Sequence, residues 1–179
     1  MPSVISSELK TSTGNITIPD NCDFVVALVS GLTNPSINDV PMTQEVSKNG
    51  GPGALVSIST MTSPPTGIKG CTVVAPTRFV YLSGGESVRD ADGSTSGAAV
   101  TLDSSATDLI LGIQGTTGDS TMTVDGTPMT YLDNYYRGYL AAPDDSVICD
   151  GDSNVNAFIS IIGTGGSPQG DGTMMCWIN

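Results

Sequence analysis

Residues 16–31 read ITIPDNCDFVVALVSG and residues 100–115 read VTLDSSATDLILGIQG, a shift of 100 − 16 = 84. In each copy a short β-branched run (Ile16, Thr17, Ile18; Val100, Thr101, Leu102) enters a polar turn and then a longer apolar run ending at Gly31 or Gly115. Self-similarity of this kind marks a duplicated supersecondary unit and governs every other reading of the chain. Working outward, INDVPMT (Ile37 to Thr43) meets VDGTPMT (Val124 to Thr130) after a three-residue slip, and FVYLSG (Phe79 to Gly84) lies over FISIIG (Phe158 to Gly163). Matches in the same order predict two β-units in tandem, 13–84 and 97–163.

Helix formers are scarce: the glutamates are Glu8, Glu45 and Glu86, the lysines Lys10, Lys48 and Lys69, and 22 Gly and 11 Pro interrupt every long window. Short runs of Val, Ile, Thr, Phe and Tyr bounded by Gly, Pro, Asn and Asp are the signature of strands, and their close spacing that of an antiparallel sandwich. The expected fold is all-β, an antiparallel, jelly-roll-like β-sandwich of two sequence-related halves. Strands are predicted near 14–18, 23–30, 35–40, 54–60, 70–75 and 78–83, then near 98–102, 107–114, 120–125, 135–140, 146–149 and 155–162. Asp125-Gly126 is a tight-turn pair because both residues tolerate positive φ. Each repeat alone is near the lower size limit for stability, so one sandwich over 13–165 with a shared core is favoured. Alternation then sets Phe24, Val26 and Leu28 against Leu109, Leu111 and Ile113. Residues 1–12 read as a polar arm, 84–97 as the joint between units and 166–179 as a tail with an apolar end.

The formal net charge of −12 opposes binding to phosphate backbones, so no nucleic-acid partner is expected. The N-terminus MPSVISSELK lacks the basic and apolar regions of a secretory signal. No apolar run approaches the roughly 20 residues of a membrane-spanning helix, and no membrane partner is expected. Cys22, Cys71, Cys149 and Cys176 lie far apart with no C-x-x-C pair, so buried free thiols are expected ahead of disulfides or a metal site. Cys71 and Cys149 hold nearly equivalent places in the two units.

The chain has no histidine, which removes Ser-His-Asp and Cys-His catalysis. Carboxylate pairs are available at Asp90 and Asp92, Asp144 and Asp145, and Asp150 and Asp152, but all sit in polar turns where neither member would gain the raised pKa of a general acid. DADGS (Asp90 to Ser94) and DGDSN (Asp150 to Asn154) resemble pieces of calcium loops. The EF-hand pattern fails, because Val155 stands where its glycine belongs and Ile161 where its glutamate belongs. No phosphate-binding glycine loop is present. The expectation is a non-enzyme with no cofactor and no metal.

Four of the five tyrosines, Tyr131, Tyr135, Tyr136 and Tyr139, fall in YLDNYYRGYL with Arg137. Tyr and Arg are common interface anchors, and the rings could equally stack on a sugar or simply alternate along a strand. Tyr135, Tyr136, Arg137, Tyr139 and Trp177 are the candidate partner-binding residues. The last of these belongs to the tail MMCWIN, either a final core strand or a docking segment.

The succession ITIPDNCDFVVALVSG, VPMTQEV, LVSISTMTSPPTG and RFVYLSG, followed by VRDADGSTSGAAVTLDSSATDLILGIQG, resembles a tandem-repeat β-sandwich module of bacterial and phage extracellular and virion structural proteins. It covers roughly residues 13–165 and consists of strand and turn patterns without a chemical motif, so it implies fold and transfers no site residues. The resemblance implies a phage virion protein made in the host cytoplasm, decorating or cementing the outer capsid surface. Its partner would be the major capsid protein or another virion protein, with the chain as a homo-oligomer or in lattice-bound copies. The alternative is a sugar- or receptor-binding module of a tail or cell surface. Arms at either end are expected to supply attachment.

Overall fold

The computed structural model describes residues 2–115, 122–133, 136–140, 146–150 and 155–164, and every regular element among them is a β-strand. The first half supplies β1 (Ser3–Lys10), β2 (Gly14–Ile18), β3 (Phe24–Val29), β4 (Ser36–Ile37), β5 (Val40–Pro41), β6 (Thr43–Asn49), β7 (Leu55–Thr62), β8 (Gly67–Thr72) and β9 (Thr77–Ser83). The second supplies β10 (Gly85–Ser94), β11 (Val100–Asp103), β12 (Leu109–Gln114), β13 (Thr123–Val124), β14 (Thr127–Pro128), β15 (Thr130–Asp133), β16 (Tyr136–Leu140), β17 (Ser146–Asp150) and β18 (Asn156–Gly163). They form four antiparallel sheets: sheet I (β2-β8-β4-β5), sheet II (β1-β9-β3-β7-β6), sheet III (β10-β18-β12-β16-β15) and sheet IV (β11-β17-β13-β14). Sheets III and IV repeat the strand order of II and I, element for element.

The fold is thus the expected antiparallel β-sandwich, with more layers than a single pair of sheets. Side chains along β3 divide by parity. Val25, Ala27 and Val29 join Ile16, Ile18, Ile37, Phe79 and Tyr81 in a core between sheets I and II. Phe24, Val26 and Leu28 face Leu109, Leu111 and Ile113 in a second core between sheets II and III. A third core, Leu102, Ile110, Val124, Val147 and Phe158 among others, lies between sheets III and IV. The stack therefore runs I, II, III, IV, with the middle core drawn from both halves. Strands buried on both faces carry near-continuous apolar runs, which is why FVVALV has no polar member whereas GNITI alternates.

The two inner sheets lie with their strand orders opposed, β6 of one half against β10 of the other, and Lys48 Nζ on β6 reaches Asp92 Oδ1 on β10 at 2.8 Å. Close packing leaves no room for side chains at some glycines, Gly85 where the halves meet and Gly112 in the core between sheets III and IV. A Cβ on Gly85 would stand 2.6 Å from the Phe24 Cβ, and one on Gly112 would stand 2.7 Å from the Met122 methyl.

Residues 1–12, expected as an arm, contain β1, which pairs with β9 along Ser3 to Lys10 as the edge of sheet II. The expected joint at 84–97 is occupied by β10, the matching edge of sheet III. These polar strands escape the apolar pattern because an edge strand carries charges and serines by necessity. The ladders also correct the gapless shift of 84. Ile37 and Val124 pair with Cys71 and Cys149, which makes these two cysteines equivalent, and Gly14 and Val100 pair with the same cysteines. Phe24 and Leu109 both open their strands opposite Leu82 and Ile161, an offset of 109 − 24 = 85. One residue of slip exchanges the faces of a strand, so the turn must absorb the difference.

The Asp125-Gly126 turn behaves as the sequence predicts, whereas the strand expected near 35–40 is broken at Asn38-Asp39 into β4 and β5. Asp125 and Gly126 have φ of 48° and 73°, and the equivalent Asn38 and Asp39 have φ of 52° and 63°. Two consecutive positive φ values suit a two-residue hairpin whose twist matches its strands.

Candidate functional site

The predicted partner-binding residues divide by location. Tyr136, Arg137 and Tyr139 lie on β16, opposite Ile113, Gly112 and Ile110 of β12. The strand runs between β12 and β15, so the segment is built into sheet III rather than displayed on a loop. Tyr135 and Trp177 lie outside the described residues, as does Cys176.

Of the carboxylate pairs, Asp90 and Asp92 are in strand β10, not in a turn as expected. Asp92 accepts from Lys48 Nζ and from the Gly93 amide, and the lysine beside it holds its carboxyl below the usual range. Asp90 accepts from the Ala91 amide at 2.8 Å and, across to sheet IV, from the Asp103 amide at 3.0 Å. The first half solves the same problem with Glu8 of β1, which accepts from the Thr17 amide of β2 at 3.0 Å and from the Tyr81 hydroxyl. In each half a carboxylate on the inner sheet's edge strand thus satisfies a backbone donor on the outer sheet's edge. Asp144, Asp145 and Asp152 lie outside the described residues; Asp150 ends β17. Among the described residues no three His, Cys, Asp or Glu side chains converge as a metal set.

A polar cluster that the sequence reading passed over lies at the start of β12. Asp108 is fully buried and receives five donors: Arg89 Nε, Arg89 Nη2 at 3.2 Å, the Ser105 amide at 3.0 Å, Ser105 Oγ at 3.1 Å and Ser160 Oγ at 3.1 Å. A carboxylate offers about four lone-pair sites, and five donors saturate this one. Its chemistry is to tie β10, the turn before β12, and β18 together. The equivalent Asp23 is exposed, and among the described residues its side chain accepts the Gly84 amide at 2.8 Å. The signal in the sequence was Asp directly before each long apolar run, read there as turn chemistry.

Cys22, Cys71 and Cys149 are free thiols and buried, as expected. Burial pushes the Cys149 thiol up to about 12 and raises Cys22 and Cys71 as well, so none is a nucleophile at neutral pH. Burial also raises the Tyr81 phenol, with the Glu8 carboxylate adding to the shift.

What the molecule offers a partner is set by its edges and faces. All four edge strands of sheets II and III carry register shifts, at Val4/Ser6, Gln44/Val46, Tyr131/Asp133 and twice in β10. Bulges at edges twist the strand and break the row of backbone groups that another strand would use. Among the sheet I and IV edges, β2 and β11 are bonded to Glu8 and Asp90, while β5 and β14 are two residues long. No family model, no curated protein and no solved structure matches the chain.

Proposed function

We propose that the chain is a non-enzymatic structural protein of a phage virion, a decoration or cement protein on the outer capsid surface. The observation that supports this most is the stack itself: four sheets joined by three apolar cores, with the inner strands buried on both faces. Such a body presents rigid faces, and rigid faces repeated on a lattice convert modest contacts into strong attachment through effective concentration. The saturated Asp108 and the buried, protonated thiols fit a role without turnover. A net charge of −12 suits an outer surface and is unhelpful against a packaged genome. Attachment by backbone pairing at a sheet edge is disfavoured by the bulges, which directs attention to the faces.

The test is quantitative mass spectrometry of purified particles, together with co-sedimentation of the purified chain with assembled shells. The expected result is a saturable number of copies in fixed proportion to the shell protein. A chain absent from particles that also fails to sediment with shells would overturn the reading. Glycans retained through purification would instead favour the sugar- or receptor-binding module.

A further inference from the structure

The two outer faces of the stack are built on one template and differ in charge. On sheet I, ladder partners place Asn15 beside Gly70, Thr17 beside Ile68, and Thr72 beside Ser36, which in turn pairs with Pro41. On sheet IV the equivalent places hold Thr101 beside Ile148, Asp103 beside Ser146, and Asp150 beside Thr123, which pairs with Pro128. Thr17 and Thr72 of sheet I therefore stand where sheet IV has Asp103 and Asp150. Sheet I has no carboxylate at any outward ladder position, in a chain with 18 acidic and 6 basic residues. Ile68 is 71% exposed on this face, and Val74, just beyond β8, is 77% exposed. Asp20 and Asp39 lie in turns next to its strands, and Glu8 bonds the β2 edge.

We propose that the outward face of sheet I is a self-association surface, on which a second copy of this chain docks face to face. Charge selects this occupant. A basic partner would gain most from the carboxylates, which this face lacks, whereas a body of net charge −12 can approach another of −12 only where no carboxylates oppose one another. Among the described residues the edges are bulged, bonded or very short and the inner faces are covered, which leaves the two outer faces, and of these sheet IV carries Asp103 and Asp150 while sheet I has no outward carboxylate. With β2 and β8 five and six residues long and β4 and β5 two each, at about 4.8 Å between strands and about 3.4 Å per residue, the ladder covers about 250 Å². That is roughly a third of what each partner contributes to a standard stable interface, so the dimer is weak and forms at high local concentration. This surface is a property of the chain alone and does not depend on the virion reading.

Sedimentation equilibrium of the full chain at loadings up to about 1 mM, spanning the millimolar to micromolar range of weak association, tests it. The weight-average mass should rise toward twice the chain mass. The dissociation constant should fall several-fold between about 0.05 and 0.5 M NaCl, because salt screens the repulsion of the two acidic bodies. Ile68→Asp and Thr72→Asp, both at exposed positions, should each weaken the dimer about tenfold or more, while Ile148→Asp on sheet IV leaves it unchanged. Circular dichroism melting of each variant separates lost association from lost folding. A chain that stays monomeric at the highest loading in high salt would overturn the proposal. So would a dimer that survives Ile68→Asp and Thr72→Asp, or one that Ile148→Asp breaks.

Discussion

Replacing Asp108 by Ala should cost about 4 kcal/mol. Breaking a buried ion pair by deleting one partner typically costs about 3–5 kcal/mol, because the other charge is left without compensation. Here the Arg89 side chain is 33% exposed and can turn to water, which places its share at the lower end. The fully buried Ser160 hydroxyl then loses its acceptor, adding about 1 kcal/mol for a donor left unmade, while the part-buried Ser105 amide can turn to water. For a domain of this size about 4 kcal/mol corresponds to a fall of roughly 8–16 °C in melting temperature, and it is a large share of a total stability of about 5–15 kcal/mol. Asp108→Asn keeps the shape and one acceptor, and should fall between wild type and Ala. Urea unfolding with a shared slope is the assay, since an unchanged slope means that only stability moved. A loss below about 1 kcal/mol for Asp108→Ala would refute the reasoning, because five bonds on a buried carboxylate cannot be worth so little unless water already reaches them.

The middle core couples the halves, so calorimetry should show one unfolding transition with equal calorimetric and van't Hoff enthalpies; two separate transitions would contradict the shared core. Thiol titration of the native protein at pH 8 should leave Cys22, Cys71 and Cys149 unmodified and reach them only in denaturant, with peptide mapping to identify each site. Gly112→Ala should destabilise by about 1–3 kcal/mol, since its Cβ would stand 2.7 Å from Met122 and 2.9 Å from Phe158, and a melting temperature equal to wild type would show that these side chains give way freely. Asp92 has a depressed folded pKa, so its pairing with Lys48 contributes above the unfolded value and is lost as pH falls through the lower, folded one; Lys48→Met should remove this acid-side slope, worth less than about 1 kcal/mol for a pair this exposed.

The sequence was most legible where strands are apolar. The expected strands near 23–30, 78–83, 107–114 and 155–162 coincide with β3, β9, β12 and β18, which are central and buried on both faces. What escaped was the edges: β1, β6 and β10 read SVISSELK, TQEVSKN and GESVRDADGS, polar strings whose pairing is set by a neighbour rather than by their own pattern. The unbroken run FVVALV held more than was taken from it, since a strand with no polar alternation needs cover on both sides and so implies a third layer. At the candidate site, residue types marked Tyr136, Arg137 and Tyr139 as interface anchors or as alternating strand residues, and their strand is β16, between β12 and β15 of sheet III. The contrast between Thr17 and Asp103, or Thr72 and Asp150, could not be seen with a gapless shift of 84, which aligns neither pair; only the cross-strand registers bring them into correspondence.

The middle core has a further consequence for symmetry. A pair of identical half-chains meeting through their inner sheets would be an isologous dimer, obliged to show the same surface on both outer sides. Any sticky patch would then occur twice, on opposite ends, and a divalent body of that kind propagates into open filaments. With both halves on one polypeptide, the interface between sheets II and III is kept while each outer side varies alone. Under the self-association proposed for sheet I, a body with one charged end and one neutral end is monovalent through that face, and pairing there stops at two.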